Sequence, residues 1–559
     1  MSSVPADSST DSPPPTPSIH PLEQQRRDNR DAAAKLGGHP YGQRVDGLVT
    51  LAEARRRYDE AADAAHQAAG KTPVAGYVDQ RPVVTVAGRI VLRRDGGKLI
   101  WMNLRDHTGD LQVAISARDC DDGAFNLAKL VELGDLLIAT GPLMKTKTGE
   151  VTVWASSVRM GGKCLVQPPE KHAGLQDIEQ RYRRRYVDMW ATPETLRVFQ
   201  MRSRIVSRIR RHLDEREFLE VETPVLQQLA GGAAARPFVT HMNALDLNLF
   251  MRIAPELYLK RLMVGGMPRV YEVSRNFRNE GVDKSHNPEF TSIEIYQAYG
   301  DVRTMMDLAE GLVRELAQMV VMESQDLAAT VGEVPAAEQD AIAEGPRLYL
   351  PFGDLSVDYG SPFVRITYGE LFKRALGFPM SDVKRARQEA VTRGLLDERK
   401  GALADVLVIN ELFEEVAEKL IDPARPTFVI DYPAAISPLT RPHPDRPEVA
   451  DRADLFIGGM EVGPFYTELN DPDVQEAKFR EQLVGVDDEE STFRTFDQDF
   501  IDALKVGMPP AGGLGLGIDR LVMLLTNQRT IRDVILFPMM RPVGDTGTGV
   551  GGGGDGAAS

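Results

Sequence analysis

The stretch RVYEVSRNFRNEGVDKSHNPEFTSIEIYQAYGD, Arg269 to Asp301, decides how the rest of the chain is read. Taken at period two, Tyr271, Val273 and Phe277 fall on one side of a strand, and Glu272, Ser274, Asn276 and Arg278 fall on the other. That second side is too polar for an ordinary core. After a polar loop containing Gly281, a second strand repeats the division, with Ile293 and Ile295 on one face and Phe290, Glu294 and Tyr296 on the opposite one. The pair reads as an antiparallel hairpin. One reading leaves its polar face in water, yet solvated faces are usually Lys, Glu and Thr in no special order. A guanidinium, an aromatic ring and a carboxylate on one surface suit instead a ligand with phosphate, a flat base and a cation.

The spelling also carries a resemblance. FRNEG followed by HNPEF closely resembles motif 2 of the class II aminoacyl-tRNA synthetases, the lysyl-tRNA synthetases above all. The resemblance implies that Arg278 grips the α-phosphate of ATP, that Glu280 meets the adenine amine and that Phe290 stacks on the ring. It adds His286 and Asn287 to the ATP-binding set.

Composition fits such a reading without requiring it. The 559 residues amount to roughly three or four domain-equivalents, and 42% hydrophobic content is ordinary for globular domains. No uninterrupted apolar run approaches the roughly 18 residues of a membrane helix. The first eighteen residues are largely Ser, Pro, Thr and Asp with no apolar h-region, so residues 1–20 read as a disordered tail rather than a signal peptide. With only Cys120 and Cys164, far apart, the expectation is a cytoplasmic chain without a disulfide framework or a cysteine zinc site. A net charge of −16 argues against indiscriminate coating of nucleic acid, so any RNA contact is a local patch.

Residues 21–80 read as a helical extension broken at Gly37–Pro40. Over 81–168 the pattern changes to five short strands, VVTVAGRIVLRR, LIWMNLRD, DLQVAIS, LLIATGPLMK and GEVTVWASSVRM, with a helix-compatible insert near Phe125–Leu133. Such a pattern suits an OB-fold barrel. Met102, Leu104, Leu111, Val113 and Ile115 alternate inward, sending Trp101, Asn103, Arg105 and Gln112 outward. An outward Trp is either covered by a neighbouring domain or a stacking platform for an unpaired base, with Gln112 and Arg94 reading edges and phosphate. The lysyl-tRNA synthetase resemblance continues through GRIVLRR, LQV and KTKTGE, and it implies that Arg94, Trp101, Gln112 and Glu150 meet the anticodon loop.

From about residue 169 to 541 the resemblance implies a class II catalytic domain, an antiparallel sheet flanked by helices, so that the whole chain is α+β. The arginines of Lys171–Trp190, together with Arg197, read as a solvated helix face. REFLEVETPVLQ, near 216–226, looks like motif 1, which implies a homodimer. The small-residue loop Gln227–Phe238 lets backbone approach a ligand closely. It resembles the family's loop over the amino acid, which brings in Gly232. RIAPELYLKRL places Pro255 at a helix start and Glu256 in its first turn. Residues 323–425 look like a helical insertion whose pattern Leu403, Leu407, Phe413, Val416, Leu420 is core and which carries few site-like residues.

Beyond it, DLFIGGMEVGPFYTELND turns at Gly458–Gly459, setting Phe456 against Glu461 and Asp454 diagonally across one face from Glu461. Two carboxylates beside an expected nucleotide suggest Mg²⁺. GGLGLGIDRLVMLL, Gly512–Leu525, leaves a bare glycine face opposite Leu514, Leu516 and Ile518. It lacks the spacing of a dinucleotide loop, since the last glycine position is Arg520. It closely resembles motif 3, which puts Arg520 and Glu461 on ATP and Gly517 beside the amino acid. Residues 542–559 read as a disordered Gly-rich tail.

Three motifs in order behind a barrel imply ATP-dependent, Mg²⁺-dependent activation of an amino acid and its transfer to tRNA. Arg278 and Arg520 would be the catalytic charges. Glu256, Glu294 and Glu468, with the Tyr296 hydroxyl, would surround the side chain, and three buried acids are tolerable only with a cation among them. Lysine is the fitted substrate and tRNA(Lys) the acceptor. Three places depart from the family pattern: Pro464–Phe465–Tyr466 where Asn, a small residue and an aromatic are usual, Ser285 for Arg, and Asp454 for Glu. Two other readings are a lysine-activating enzyme with a different acceptor or altered amino-acid specificity, and a non-catalytic RNA-binding paralogue.

Overall fold

Alternating strands in the first part of the chain close on themselves, and those in the second part open into one wide sheet. The computed structural model describes residues 19–36, 39–71, 76–169, 175–233, 235–323, 348–396, 404–482 and 496–542. Nearly all of both expected tails, part of the Gly37–Pro40 break, the start of the arginine-rich join and Leu403 lie outside them. The chain forms two units, Met1–Leu196 and Arg197–Ser559.

In the first unit, helices Pro21–Lys35, Leu51–Arg56 and Glu60–Lys71 precede the barrel strands, and between the first two of them the two-residue strand Leu48–Val49 pairs with Thr85–Val86. Five strands then make a closed barrel: β1 (Val83–Asp95), β2 (Leu99–Asp106), β3 (Gly109–Ser116), β4 (Leu136–Lys145) and β5 (Val151–Ala155). Neighbours run β1-β2-β3-β5-β4, and β4 pairs back onto β1. Met102, Leu104, Leu111, Val113 and Ile115 are fully buried inside it. The last expected strand is two, because Ser156 turns the chain by donating to the Thr140 carbonyl from both its N (2.9 Å) and its Oγ (3.1 Å). β6 (Ser157–Gly162) then pairs with the other part of β4.

Arg197 is exposed, as a solvated face requires, but Arg181 and Arg185 depart from that reading. Arg181 Nε lies 3.0 Å and Arg185 Nη1 3.1 Å from the carboxylate of fully buried Asp188. Two guanidiniums offset one buried charge, which an exposed helix would not need.

The second unit is built on a nine-stranded sheet. Its longer strands are β7 (Arg269–Phe277), β8 (Glu289–Ala298), β9 (Val364–Thr367), β10 (Thr427–Pro433), β11 (Arg446–Ile457), β12 (Met460–Thr467) and β13 (Ala511–Gly517), and two of two residues each, Leu219–Glu220 and Pro442–His443, complete it, the latter paired with β11. The order is β9-β10-β11-β12-β13-β8-β7, then the short edge strand Leu219–Glu220 of motif 1. One face carries Tyr271, Ile293, Ile295, Ala453, Leu455, Phe465, Leu514 and Leu516 into a core with helices Val302–Glu323 and Ile518–Leu525. The other face holds the polar side chains.

Two expectations about 323–425 are corrected. The segment is not merely inserted, since β9 lies parallel to β10 and extends the main sheet. Its core positions are Val408, Ile409, Leu412 and Phe413, whereas Leu407 and Leu420 are exposed. The helix Asp405–Leu412 widens into a π turn at Phe413–Ala417 and tightens into a 3-10 turn at Glu418–Leu420, so a constant 3.6-residue period loses phase before Leu420, whereas Leu407 lies on the outer side of the regular helix whose inner side carries Val408, Ile409 and Leu412.

Candidate active site

Strand register brings the sequence motifs into rows across the polar face. Glu272 pairs with Glu294 and Glu294 with Gly515, while Asp454 pairs with Pro464. The next row runs Val270, Tyr296, Gly513, Tyr466, Arg452. Cross-strand neighbours share a face, so five strands deliver their chemistry to one floor. The bare glycines make room for it. A Cβ built on Gly513 would lie 1.9 Å from Glu468 Oε1 and 2.7 Å from the Tyr296 ring. At Gly515 it would meet Glu294 and Pro464 at 3.8 and 3.9 Å, in ordinary contact.

At the amino-acid end, helix Glu256–Val264 starts behind Pro255 and points Glu256 inward, where it is buried. Gly232 sits over it at φ +85°, where a Cβ would come 3.1 Å from that of Glu256, so the small-residue loop lies directly on the pocket. Glu294 accepts a hydrogen bond from the Tyr296 hydroxyl at 3.0 Å. Burial, reinforced by Glu256, pushes the Glu294 carboxyl up to about 8. Glu468 is raised by burial to about 7, although an ammonium beside it acts the other way.

That ammonium corrects one expectation. The cation among the three acids is already supplied by the chain: Lys260 Nζ is 2.6 Å from Glu256 and 2.5 Å from Glu468. Sequence reasoning missed it because an i, i+4 Glu–Lys pair ordinarily lies on a helix surface. Here the helix is buried on that side, and Lys260 has no exposed surface. Glu468 Oε1 remains buried without a hydrogen bond.

At the nucleotide end, Arg278 stands just past β7, its backbone N donating to the Pro288 carbonyl at 2.9 Å. Its guanidinium lies 5.1 Å from the centre of the Phe290 ring, and its Nε is buried with no hydrogen-bond partner. Burial pulls the Arg278 pKa down, opposed by Glu280, Glu294 and Glu461 and aided by Arg520. Arg520 Nη1 donates to the Glu461 carbonyl. In the loop between β7 and β8, Asp283 collects the His286 ring at 2.8 Å and the Ser285 hydroxyl at 3.0 Å, while Asn287 donates to the Glu289 carbonyl at 2.6 Å. Glu280 is exposed at the rim.

Phe456 does pair with Glu461, and Asp454 shares its surroundings. Asp454 is held through both oxygens by Arg452, at 3.0 and 2.7 Å. Each oxygen keeps a second lone pair. Burial and Asp454 raise the Glu461 carboxyl, against the pull of Arg520, Arg452 and Arg278. Among the described residues no group of three or more metal-ligating side chains is gathered, but the carboxylate pair Asp454 and Glu461 offers the hard oxygen that suits Mg²⁺, which takes one or two carboxylates together with substrate phosphates. Glu418, on the re-phased helical segment, faces the same pair, and burial with Glu414, Glu461 and Asp454 lifts it to about 7. The insertion therefore carries a site residue that no helical period could reveal.

Phe465 is fully buried on the core side, its ring edge-on to Phe428 at 5.2 Å. It does not fill the site. Pro464 and Tyr466 face the floor, and Tyr466, raised well above its ordinary value by burial, lies close enough to feel Asp454, Glu256 and Glu468.

On the barrel's outer surface Arg94 pairs with Trp101 across β1 and β2. Trp101 is half-buried, edge-on to Trp154 at 6.2 Å, a neighbour the strand reading left out. Gln112 corrects the expectation of an open outward side chain: only 8% of it is exposed, and its Oε1 accepts from the Thr152 hydroxyl at 2.9 Å. Glu150 is paired with Arg55 at 3.3 Å.

Comparison with known proteins agrees with this geometry. The family described as tRNA synthetases class II (D, K and N) matches residues 177–541, and the OB-fold nucleic acid binding domain family matches 84–160. The chain belongs to the class II tRNA synthetases. Similar relatives include the lysine–tRNA ligases of Cronobacter sakazakii and Escherichia coli strain K12, each 44% identical over 82% of this chain and 86% of the relative. That of Serratia proteamaculans is 43% identical over 87% of this chain and 92% of its own length. Among the described residues of this synthetase, no helix is long and apolar enough to cross a membrane.

Proposed function

We propose that this synthetase activates L-lysine with ATP and transfers it to the 3′ end of tRNA(Lys). The observation that carries the choice of lysine is the buried Glu256, Glu294 and Glu468 cluster, which holds more acids than its one ammonium can offset and keeps Glu468 Oε1 unbonded. A buried acceptor of this kind favours a cationic side chain over a neutral one.

The first step needs no general base, because an amino-acid carboxylate is already ionised at pH 7. Its oxygen bonds to the α-phosphorus as the bond to the bridging oxygen of pyrophosphate breaks. Arg278 and Arg520, held on a preformed floor, stabilise the charge that grows on phosphate. Phe290 offers the adenine a flat face, with Glu280, His286 and Asn287 along the loop above. Asp454 and Glu461 would hold Mg²⁺, which when bound supplies charge neutralisation on the phosphate oxygens. In the second step the terminal tRNA hydroxyl attacks the mixed anhydride and releases AMP.

Arg94, Trp101 and Glu150 form the proposed anticodon contacts, Gln112 being buried and bonded to Thr152 instead, and the Trp101–Trp154 pair supports a stacking surface there. Trp101→Ala is expected to lose roughly 1–3 kcal/mol of tRNA affinity while leaving pyrophosphate exchange intact. Equal losses in filter binding and exchange would make the Trp structural. A homodimer is supported by the exposed apolar side chains of motif 1, Leu219 and Leu226. A cytoplasmic setting is in keeping with two free cysteines. The non-catalytic reading is disfavoured, since Arg278, Glu280 and Arg520 are all retained. The deciding experiment is ATP–pyrophosphate exchange across a panel of amino acids. Lysine-dependent, Mg²⁺-dependent exchange is expected, and exchange driven by a neutral amino acid in preference to lysine would overturn the assignment.

A further inference from the structure

Lys260 is not part of the sequence motifs, yet it sits at the centre of the charge cluster. Burying an ammonium completely is costly unless carboxylates surround it. Lys260 meets that condition with Glu256, four residues earlier on its own helix, and with Glu468 from the end of the neighbouring strand. Three carboxylates against one ammonium leave two negative charges when all are ionised. Glu294 is bonded to the Tyr296 hydroxyl instead of the ammonium, so the ion-paired set is two carboxylates, Glu256 and Glu468, on one Lys260, with one negative charge left over. That residue of charge faces Gly513, the bare position at which Glu468 Oε1 lies without a hydrogen bond.

We propose that Lys260 is a positioning residue, the fixed counter-cation of the amino-acid pocket, which holds Glu256 and Glu468 in place through its two ion pairs so that the charge left over matches a single substrate ammonium. The proposal rests on the lysine reading above and adds to it a specificity role for a residue the substrate need not touch. Without Lys260, Glu468 would lose the group that now opposes its protonation. Lysine could then bind only by expelling a proton, and neutral amino acids would be rejected less strongly.

The test is pyrophosphate exchange by the full chain. Lys260→Met is expected to raise the KM for lysine at least ~10-fold and to lower the lysine-to-norleucine ratio of kcat/KM by a similar factor. At saturating lysine, kcat should stay within about threefold, because the phosphate-facing arginines are untouched. In Lys260→Ala, added n-propylammonium should restore the lysine KM, and n-propanol should not. A structural filler would be insensitive to that difference in charge. An unchanged KM and ratio in Lys260→Met, or equal rescue by the alcohol, would overturn the proposal. If both variants fail to fold, Lys260→Arg should fold and keep the lysine KM within about threefold, and its failure would give Lys260 a purely structural part and equally overturn the proposal. Absence of lysine-dependent exchange in the wild type would instead remove the lysine reading, and this inference with it.

Discussion

Arg278→Ala is expected to cut kcat for lysine-dependent pyrophosphate exchange by at least ~10²-fold, the scale on which a preorganised transition-state donor is lost. Three features support an effect this large. The guanidinium is largely buried, its Nε is unbonded, and its neighbours Glu280, Glu294 and Glu461 hold it as a cation against desolvation. Arg520 cannot simply replace it, being tied to the Glu461 carbonyl. Arg278→Lys should recover little, since an ammonium cannot present the planar fork of donors that suits phosphate. Rapid-quench measurement of the adenylation step distinguishes this from slow product release. Undiminished exchange by Arg278→Ala would end the catalytic assignment.

Glu468→Gln should be comparably severe, lowering kcat/KM for lysine by at least ~10²-fold, because Lys260 stays paired with Glu256 while the charge left over for the substrate ammonium is lost, and a buried charge without its partner costs about 3–5 kcal/mol. Pro464→Asn is a useful contrast. Proline has no side-chain donor and fixes its own φ, so a hydrogen bond that the resembling enzymes make from Asn to the substrate's backbone end is missing or taken over here. With Phe465 turned into the core against Phe428, nothing from that residue blocks a longer side chain at 464. Pro464→Asn is therefore expected to lower the lysine KM, by an amount set by one hydrogen bond to a charged group, about 1.5–3 kcal/mol at most. Steady-state kinetics on the two variants would decide the matter. A wild type that prefers a neutral amino acid, or a lysine analogue altered at its α-amino end, would mean that the Pro464–Phe465 change switches the substrate.

The parts of this site that were legible in the sequence are those governed by period two. Glu272, Glu294 and Tyr296, the Phe456–Glu461 pairing and the bare row of Gly513, Gly515 and Gly517 follow from alternation and a tight turn, and strand register then fixes them. The barrel core from Met102 to Ile115 was readable for the same reason. What stayed hidden depends on contacts between elements. Lys260 looks like a surface partner of Glu256 until the helix is buried against the end of β12. Glu418 lies near enough to Glu461 and Asp454 to feel their charge, on a segment whose phase a π turn has shifted, and no residue pattern announces that widening. Arg181 and Arg185 read as solvated until Asp188 is seen to be buried between them. Gln112 alternates outward as expected, but Thr152 on the neighbouring strand covers it.

The bare position at Gly513 has a further consequence. Between Tyr296 on one neighbouring strand and Tyr466 on the other, the wall facing Glu468 is main chain. Side chains can change rotamer to admit a bulkier guest, whereas a strand pinned by its own ladder of hydrogen bonds has no such freedom. The slot beside Glu468 is thus a mould of fixed width. Extra bulk carried on a substrate's distal nitrogen would have to be taken up by shifting Glu468 or Tyr296, both of them already committed to their neighbours, so discrimination by size at this end is built into the backbone itself.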